Sequence, residues 1–465
     1  MRVLLVAPPM TGEERYGELA GAGTYLPPLG LAYLAAAVRD RHQVRILDAE
    51  VEGRSEAQVV EEVLRHQPDV LGVTVVTPAL PRVEAICAAV KARRPATRIV
   101  LGGPYPSACP LETLSCDAVD LAVVGEGEAT FAELLDALEA GRPLDGVAGL
   151  ALRRDGRPAL TAPRQRVEDL DALPWPARDL LPMARYRPSP LHHREAPAFS
   201  VVCGRGCPWR CTFCSCAKVF RGRYTVRSPA SVAAEVGALV QERGAREILF
   251  WDDTFGLTRA WTLELCERLA PLRVGWSAWM RVDLVEPDVL RAMRRAGCWH
   301  VSYGVESGNQ AVLDGIRKGF TVQAVKDAFR WTRAAGLEAR GTFILGMPGD
   351  TWDTMMETIA LAIEARADYA QFQYLTPYPG TELWDTIDRH GRRLTTDPAR
   401  HTIWQPVFVP HGLTEPQLRE AHRLAHRRFY LRPGYVLERL RRLRSPSDLR
   451  RHVRGALTVL GYARP

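Results

Sequence analysis

The sequence predicts an α/β protein in which a doubly wound parallel sheet precedes a partial (β/α)6 barrel and a helical extension. Three observations support this fold class. The 465 residues are enough for two domains. Strand-like and helix-like segments alternate in two separate series. A proline-rich stretch of weak periodicity divides these series. We therefore assign residues 1–145 to the first domain, 146–197 to a connector, 198–380 to the barrel and 381–465 to the extension.

The first series consists of strand–helix repeats that are typical of a Rossmann-like domain. Its short apolar runs are typical of parallel strands buried on both faces. The predicted strands are RVLLVAPP, QVRILDAE, VLGVTVV, RIVLGG and LAVVG. The predicted helices are GLAYLAAAVRDR, SEAQVVEEVLRHQ, RVEAICAAVKARR and ATFAELLDALEAG. Ligands of such sheets bind at the carboxyl ends of the strands, which here read APP, VVTP, GGPYPSA and GEGEAT.

The second series repeats this alternation with six strands, as expected for a partial parallel barrel. Its predicted strands are AFSVVC, EILFWDD, VGWSAWM, HVSYGVES, ARGTFILG and YAQFQYLTP. The predicted helices are PASVAAEVGALVQERG, RAWTLELCERLA, PDVLRAMRRAG, VQAVKDAFRWTRAAG and TWDTMMETIALAIEA. Because barrels of this kind carry their chemistry at the carboxyl ends of the strands, we expect the active site there.

The composition excludes several classes of protein. Hydrophobic residues make up 46% and charged residues 25%, which is ordinary for a globular protein with a core. No apolar stretch reaches about eighteen residues and no signal peptide is evident, so we expect a cytoplasmic protein without membrane spans. The net charge of +7 comes partly from LRRLRSPSDLRRHVRG, which we interpret as a solvated helix. Nucleic-acid binding is not expected, because no aromatic residues are interleaved with the basic ones.

The stretch GCPWRCTFCSC, residues 206–216, contains four of the ten cysteines. The spacing Cys207-x3-Cys211-x2-Cys214 follows the first barrel strand. Structural zinc normally needs four ligands in paired knuckles, and no second pair is present. Three close thiolates fit a cubane iron–sulfur cluster whose fourth iron is open to a substrate. A redox switch or a zinc site is the alternative, and Cys203 and Cys216 lie outside the ligand set.

With an aromatic residue, Phe213, before the third cysteine, this stretch resembles the signature of the radical S-adenosylmethionine (SAM) superfamily. The resemblance implies a [4Fe–4S] cluster on the three cysteines, with Phe213 beside it, and SAM on the open iron. YGVESGN resembles the segment whose acid, here Glu306, contacts the SAM ribose. WMRVD places Arg281 where it could pair with the SAM carboxylate.

Three further residues are candidates for catalysis. FWDDTFG resembles the end of the second barrel strand in this superfamily, which places Asp252 and Asp253 near the SAM amino group or the substrate. The alternative is that the two acids cap the following helix. Tyr374, at the end of the sixth strand, could contact substrate, and a place at the surface or in the core is an equal alternative.

The first domain resembles the cobalamin-binding domain that precedes the barrel in one subfamily of these enzymes. The segments that carry the resemblance are PPLGLAYLAA, VLGVTVVTPA, IVLGGPYPSA and AVVGEGEATF. It implies that Gly102, Gly103 and Tyr105 lie at a corrin. The pattern DxHxxG, which supplies an axial histidine, is absent, because residues 48–53 read DAEVEG. The residues therefore leave open whether cobalamin is bound.

The resemblance implies an enzyme that cleaves SAM to a 5′-deoxyadenosyl radical and abstracts hydrogen from an unactivated C–H bond of a small molecule. We favour cobalamin-dependent C-methylation of a small polar natural product in antibiotic or other secondary metabolism. The alternative is cobalamin-independent radical dehydration of a 1,2-diol in an aminosugar, as in aminoglycoside pathways. A non-enzymatic iron–sulfur or zinc sensor is a third class. The cluster also implies a low-potential electron donor, such as a flavodoxin or ferredoxin, or a partner reductase.

Overall fold

The computed structural model describes residues 1–17, 20, 23–188 and 193–441. Most of the arginine-rich segment that we interpret as a solvated helix, residues 440–455, lies outside the described residues. No helix in the described ranges is long and apolar enough to cross a membrane.

The first domain is built on a seven-stranded sheet with helices on both faces. In chain order its strands are β1 (Arg2–Ala7), β2 (Gln43–Asp48), β3 (Val70–Thr74), β4 (Arg98–Gly102), β5 (Leu121–Val123), β6 (Leu150–Arg154) and β7 (Arg157–Leu160). Its helices are α1 (Gly12–Tyr16), α2 (Leu29–Val38), α3 (Ala49–Glu52), α4 (Glu56–His66), α5 (Leu80–Arg93), α6 (Pro104–Ala108) and α7 (Glu128–Glu139). The spatial order is β2-β1-β3-β4-β5-β6-β7, and the first five strands are parallel.

The strand order reverses at β1, which has β2 on one side and β3 on the other. Val3 of β1 is in register with Val44 and with Val70. Connections leave the sheet in opposite directions at such a point, so a crevice opens beyond the carboxyl ends of β1 and β3. This switch point confirms the doubly wound fold class.

The antiparallel strands β6 and β7 lie inside the segment that the sequence analysis treats as an extended connector. Asp155 and Gly156 join them with φ values of 49° and 77°. Two successive positive φ values define the two-residue hairpin turn that Asp-Gly favours. The first sheet therefore extends to Leu160, and only the residues after it connect the domains. The Asp-Gly pair was the sequence signal that could have predicted this hairpin.

The second domain has a six-stranded parallel sheet whose spatial order follows the chain. Its strands are β8 (Ala198–Val201), β11 (Glu247–Phe250), β12 (Gly275–Met280), β13 (Cys298–Glu306), β14 (Glu338–Leu345) and β15 (Tyr369–Tyr374), with the separate antiparallel pair β9 (Gly204–Gly206) and β10 (Tyr224–Val226). Its helices are α8 (Cys216–Val219), α9 (Pro229–Arg243), α10 (Arg259–Leu269), α11 (Pro287–Arg295), α12 (Gln310–Gly315), α13 (Val322–Ala334) and α14 (Trp352–Glu364). This arrangement confirms the predicted partial barrel.

The two faces of the barrel sheet differ in chemistry. Trp276, Tyr303, Phe343 and Phe372 are fully buried and belong to the apolar core between the sheet and its helices. Successive side chains of a strand point to opposite faces. Their sequence neighbours therefore point to the inner face, and one neighbour of each aromatic residue is polar and buried: Ser277, Ser302, Thr342 and Gln373. The inner, or lumen, face of the barrel sheet thus carries polar side chains.

The extension after the barrel is mostly helical, as predicted, but it also contains a short antiparallel strand pair. Its elements are α15 (Glu382–Thr386), β16 (Gly391–Arg393), β17 (Phe408–Pro410), α16 (Glu415–Tyr430) and α17 (Pro433–Arg441). Helix α16 packs on the barrel, where His422 Nε2 lies 3.0 Å from the carbonyl oxygen of Phe372.

Candidate active site

The three predicted cluster ligands lie on one loop, residues 207–223, which we call the cluster loop. Strands β9 and β10 pair antiparallel and clamp its two ends together. Gly206 precedes the loop with φ 85°, and a Cβ atom there would lie 2.1 Å from the carbonyl oxygen of Arg223. Only glycine fits this close approach of two backbones, so Gly206 allows the loop to close on itself.

Within the loop, Cys211 is buried, whereas Cys207 and Cys214 are half-buried. A backbone hydrogen bond of 3.1 Å from Cys214 N–H to the Cys211 carbonyl forms a turn that brings these two ligands together. No three His, Cys, Asp or Glu side chains in the described ranges are arranged around a single metal ion. A cubane cluster requires a wider set, because each cysteine binds a different iron. Three thiols on a tight loop therefore fit a [4Fe–4S] cluster better than a zinc ion.

Asp252 and Asp253 hold the chain that enters the cluster loop. Asp252 Oδ1 accepts hydrogen bonds from Cys203 N–H at 2.7 Å and Gly204 N–H at 2.5 Å. Asp253 Oδ2 accepts from Gly206 N–H at 3.0 Å. Both acids follow β11 directly, so this strand positions the beginning of the loop. The capping alternative does not hold, because Thr258 precedes α10 and no side-chain bond caps that helix.

The two acids that the sequence presents together as catalytic candidates have different environments in the structure. Asp252 is 7% exposed, and burial raises its pKa to about 7 even though two backbone N–H groups favour the charged form. Its Oδ1 atom accepts hydrogen bonds from backbone N–H groups and is therefore not available to a ligand. Burial also raises the pKa of Asp253, which hydrogen-bonds to the Cys216 thiol and lines a cleft between the domains. Asp253 is thus the acid that can reach a ligand.

Two neighbours of these acids complete the anchoring of the loop. The Thr254 hydroxyl lies 3.4 Å from Cys207 Sγ, within hydrogen-bond distance of the first cluster ligand. Burial raises the pKa of Cys216, and its bond to Asp253 favours the thiol form further. Cys216 is therefore part of the loop's scaffold, in agreement with its place outside the ligand set. Thr254 lies within the FWDDTFG segment, but no role was assigned to it from the sequence.

Glu306 ends β13 in an unusual conformation. Its φ is 69°, and the register with β14 shifts between Gly304 and Glu306. A glutamate in the left-handed region costs of order 1–3 kcal/mol, and such strain concentrates at functional sites. Its Oε1 lies 2.6 Å from Lys318 Nζ, and both side chains are buried. Burial opposes the charge of Lys318, but the Glu306 carboxylate raises the pKa of this lysine. The pair fixes a carboxylate near the cluster loop, consistent with the predicted ribose contact.

Arg281 contacts the cluster loop and the Glu306–Lys318 pair. Its guanidinium lies 3.9 Å from the ring centre of Trp209 and forms two bonds of 2.9 Å to Asp283. Its Nη2 also donates to the Lys318 carbonyl at 2.8 Å. The guanidinium is thus already paired with Asp283, and its contact with a SAM carboxylate remains a prediction. Trp209 and Asp283 lie within the segments GCPWRCTFCSC and WMRVD but had no role assigned from the sequence, and Lys318 lies outside the motifs.

The structure does not bring Tyr374 to the lumen. Its ring stacks on His422 of α16 with centres 4.2 Å apart, and it belongs to the core between the sheet and the helices. Strand alternation places Gln373 on the inner face instead. Tyr374 is therefore positioned as a core residue, which was the alternative reading. Phe213 packs half-buried against the edge of the same core, within the cluster loop as expected.

A cleft of about 300 Å³ separates the first sheet from the barrel. The first domain lines it with small residues, including Gly72, Gly102, Gly103, Gly125 and Gly127, and the barrel contributes Gly204, Trp251 and Asp253. Gly103 has φ 101°, and a Cβ atom there would lie 2.7 Å from Thr74 Oγ1. A cleft beyond the carboxyl ends of parallel strands, with glycines and apolar side chains such as Leu5 and Phe131 in its walls, is suited to a large planar ligand. The residues present therefore fit a corrin.

Tyr105 lies apart from this cleft. It is 9% exposed at the start of α6 and lines a second cavity of about 350 Å³ with Tyr378, Trp404 and their neighbours. Its expected contact with a corrin is therefore not seen at the glycine-lined cleft, where Gly102 and Gly103 do lie.

Arg205 joins the two domains beside the cleft. It lies on β9, next to the cluster loop, and binds Glu126 Oε1 at 3.0 Å and Glu128 Oε1 at 2.6 Å. Both glutamates follow β5 in the GEGEAT segment. This bridge holds the carboxyl edge of the first sheet against the base of the cluster loop.

Comparison with known proteins identifies both domains. Residues 19–135 match the B12 binding domain, and residues 201–362 match the radical SAM superfamily. The chain belongs to the radical SAM superfamily and carries an N-terminal B12-binding domain. It is therefore a radical SAM enzyme, and its cofactors are a [4Fe–4S] cluster, SAM and cobalamin. The matches confirm the predicted superfamily and answer the question about cobalamin that the residues left open.

Two relatives and one solved structure illustrate the similarity. The chain is 36% identical to an uncharacterized methyltransferase of Pyrococcus horikoshii, over 94% of each protein. It is 30% identical to the anaerobic magnesium-protoporphyrin IX monomethyl ester cyclase of Cereibacter sphaeroides, over 93% of this chain and 71% of the cyclase. The structure of the cobalamin-dependent SAM radical enzyme OxsB, with aqua-cobalamin and SAM bound, aligns with a TM-score of 0.75 and 17% identity, over 99% of this chain and 71% of OxsB. At that identity OxsB supports the fold alone.

Proposed function

We propose that the enzyme transfers a methyl group to an unactivated carbon of a small polar natural product. The observation that carries the proposal is that the glycine-lined cleft and the cluster loop share Asp253. This residue lines the cleft and holds the backbone of Gly206, directly before the first cluster ligand. When bound, the cluster and SAM supply the 5′-deoxyadenosyl radical, and cobalamin supplies a methyl carrier. Both cofactors would therefore face one reaction space.

The chain's own residues bind SAM and the substrate, orient them and enclose the reaction space. The Glu306–Lys318 pair provides a fixed carboxylate that can accept hydrogen bonds from ribose hydroxyls. The polar side chains of Ser277, Ser302, Thr342 and Gln373 line the lumen below, where a polar substrate can replace its water contacts. Arg205 holds the first sheet over this space and limits the access of water to a reactive radical. These features support a polar substrate.

A second candidate function is radical ring formation without methyl transfer. It is favoured by the relative named as a cyclase, which matches nearly the whole chain at 30% identity. Such an enzyme could use the same cluster, SAM and cobalamin sites. The aminosugar dehydratase alternative gains no comparable support, because neither relative reported above is named as a lyase or an aminoglycoside enzyme.

The two candidates differ in what becomes of SAM. We suggest purifying the protein anaerobically from cobalamin-replete cells and adding SAM with a strong one-electron reductant. Methyl transfer requires both 5′-deoxyadenosine and S-adenosylhomocysteine as products, and a deuterated methyl group of SAM should leave SAM. Formation of 5′-deoxyadenosine alone would favour the cyclase candidate. If neither product formed with a fully loaded cluster, the proposal would be overturned.

A further inference from the structure

The outer surface of the cluster loop is strongly basic. Arg210, Lys218, Arg221 and Arg223 are all exposed, and we call these four residues the basic rim. No member of the rim forms an ion pair with a carboxylate of the described residues. Most other arginines that flank the active site do have such partners, as Arg205, Arg281 and Arg317 show.

The backbone gathers three of these cations in one place. Arg221 and Gly222 have φ values of 54° and 66°, which form a tight turn. A Cβ atom on Gly222 would lie 3.3 Å from Arg210 Nε, so the Arg210 side chain crosses this turn. Arg221 and Arg223 flank the same glycine. Like charges that are held together raise the energy of the isolated protein and attract an acidic partner.

The two carboxylates that line the same cavity as the rim are already engaged. Glu126 binds Arg205, and Glu382 pairs with Arg317. Glu382, Arg317 and the rim all border a cavity of about 1170 Å³ that is open to solvent. The positive charge of the rim is therefore not neutralised by the walls of this cavity.

The same cavity reaches the cluster ligands. Cys211 and Cys214 line it together with the rim. A protein that docked on the rim would therefore face the cluster across two of its ligands and would stay outside the glycine-lined cleft. The positive charge of the rim and the exposed approach to the cluster ligands therefore lie on the same surface.

We propose that the basic rim docks an acidic one-electron donor protein of the flavodoxin type. This inference rests on the proposed function, because the cluster must be reduced before SAM is cleaved. The step transfers one electron: the donor's reduced flavin loses it, and the cluster goes from the 2+ to the 1+ state. Opposite charges on the two surfaces accelerate the encounter and orient the donor.

The test compares two reductants on the full-length protein with its cluster reconstituted. The variant is Arg221→Glu/Arg223→Glu, and the matched control is Arg291→Glu/Arg295→Glu, two exposed arginines on α11 that form no ion pair within the described ranges. Both pairs change the net charge equally. Stopped-flow absorbance follows cluster reduction by flavodoxin hydroquinone and by a small neutral photoreduced deazaflavin.

We expect the rim variant to slow reduction by flavodoxin about tenfold or more at low salt. The difference should shrink as salt is added, because surface charges are screened over about 10 Å at 0.1 M ionic strength. Reduction by deazaflavin should change less than about twofold, and the control variant should match the wild type with both reductants.

Equal flavodoxin rates in the rim variant and the wild type would overturn the docking proposal. So would a rim variant that is reduced normally but needs more substrate, since the rim would then bind an anionic small molecule. Production of 5′-deoxyadenosine with deazaflavin tests the proposed function separately. Its absence in the wild type would count against that function and not against the rim.

Discussion

The cluster loop and the glycine-lined cleft face each other, but they are built by opposite means. The cluster loop is positioned by added polar contacts, in which Asp252, Asp253 and Thr254 hold the chain before and at the first ligand. The wall of the cleft depends on glycines, since a Cβ atom at Gly72 or Gly103 would lie 2.7 Å from a neighbouring atom of the first domain. A metal cluster needs ligands at fixed positions, whereas a large flat cofactor needs room.

This difference predicts two kinds of failure. Removing a side chain at the cluster loop should release a ligand or loosen the backbone that carries it. Adding a side chain at the cleft should exclude the cofactor by volume and leave the rest of the protein folded. Substitutions in one region should therefore change the content of one cofactor and leave the other cofactor in place.

The largest effect is expected for Cys211→Ala. Loss of one of three ligands should remove most of the cluster iron and reduce 5′-deoxyadenosine formation below detection, while circular dichroism stays close to that of the wild type. Cys216→Ala is the control on the same loop, and it should keep its cluster because Cys216 bonds to Asp253 and not to iron. Measurable SAM cleavage by the Cys211→Ala protein would contradict the ligand assignment.

The second largest effect is expected for a larger side chain in the glycine-lined cleft. Gly102 lines the cleft, and a Cβ atom there would meet nothing nearer than 4.0 Å. Gly102→Leu should therefore fold normally but fill the cleft, so that the cobalamin recovered with the protein falls at least about tenfold. Cluster iron and reductive SAM cleavage should persist, which would show that the two sites fail independently.

Gly102→Ala supplies the size control, because a methyl group at this position leaves most of the cleft open. It should retain corrin at close to the wild-type level. If Gly102→Leu bound as much cobalamin as the wild type, the corrin would have to lie elsewhere, for example in the cavity that Tyr105 lines.

The two regions also differ in how far the sequence predicts them. The cysteine spacing and the glycines of GGPYPSA are local patterns, and the structure places them at the cluster loop and the cleft. The strands were equally predictable, because buried parallel strands are continuous apolar runs. The β6–β7 hairpin was missed although Asp155-Gly156 signals it, because the surrounding prolines were taken to mark a connector.

The contacts that hold the cluster loop could not be read from the sequence. Asp252 reaches backbone groups 48 and 49 residues away, and Asp253 reaches one 47 residues away. The motif located these acids at the active edge, but their partners depend on how β8 and β11 pair. The same holds for Lys318, because its ion pair with Glu306 is visible only in the folded structure.

A smaller effect is expected at this ion pair. Glu306→Gln keeps the shape of the side chain but removes its charge, so SAM should bind about tenfold more weakly, a loss of about 1.4 kcal/mol. Isothermal titration with the reconstituted protein measures this. Glu382→Gln is the control, because Glu382 forms an exposed pair with Arg317 near the same loop.

The double variant Glu306→Gln/Lys318→Met separates binding from folding. Glu306→Gln alone leaves Lys318 buried without its carboxylate, which is destabilising. Removing both charges should restore the melting temperature but not the SAM affinity. Wild-type SAM affinity in the double variant would show that Glu306 only neutralises Lys318 and does not contact SAM.

Burial of Asp252 beside the cluster loop should lower the free energy of unfolding at neutral pH. Burial raises the pKa of Asp252 from 3.8 to about 7. The unfolded chain therefore releases this proton at lower pH than the folded protein does. The contribution of Asp252 to the free energy of unfolding should fall as the pH rises from about 4 to about 7, by at most about 1.4 kcal/mol per pH unit. Above that range it should be constant.

Asp252→Asn should make the melting temperature less dependent on pH in this interval, as followed by anaerobic calorimetry. Some dependence of the same sign should remain, because burial raises the pKa of Glu50 and Glu247 to about 7 as well. Asp288→Asn is the control, because Arg259 lowers the pKa of that exposed carboxyl below its usual value, so its proton linkage lies below this interval and the variant should keep the wild-type dependence between pH 4 and 7. If the melting temperature of Asp252→Asn depended on pH as steeply as that of the wild type, the folded protein would hold Asp252 charged without a loss of stability. The backbone N–H groups of Cys203 and Gly204 would then outweigh burial, and the acid would stabilise the cluster loop at every pH in the interval.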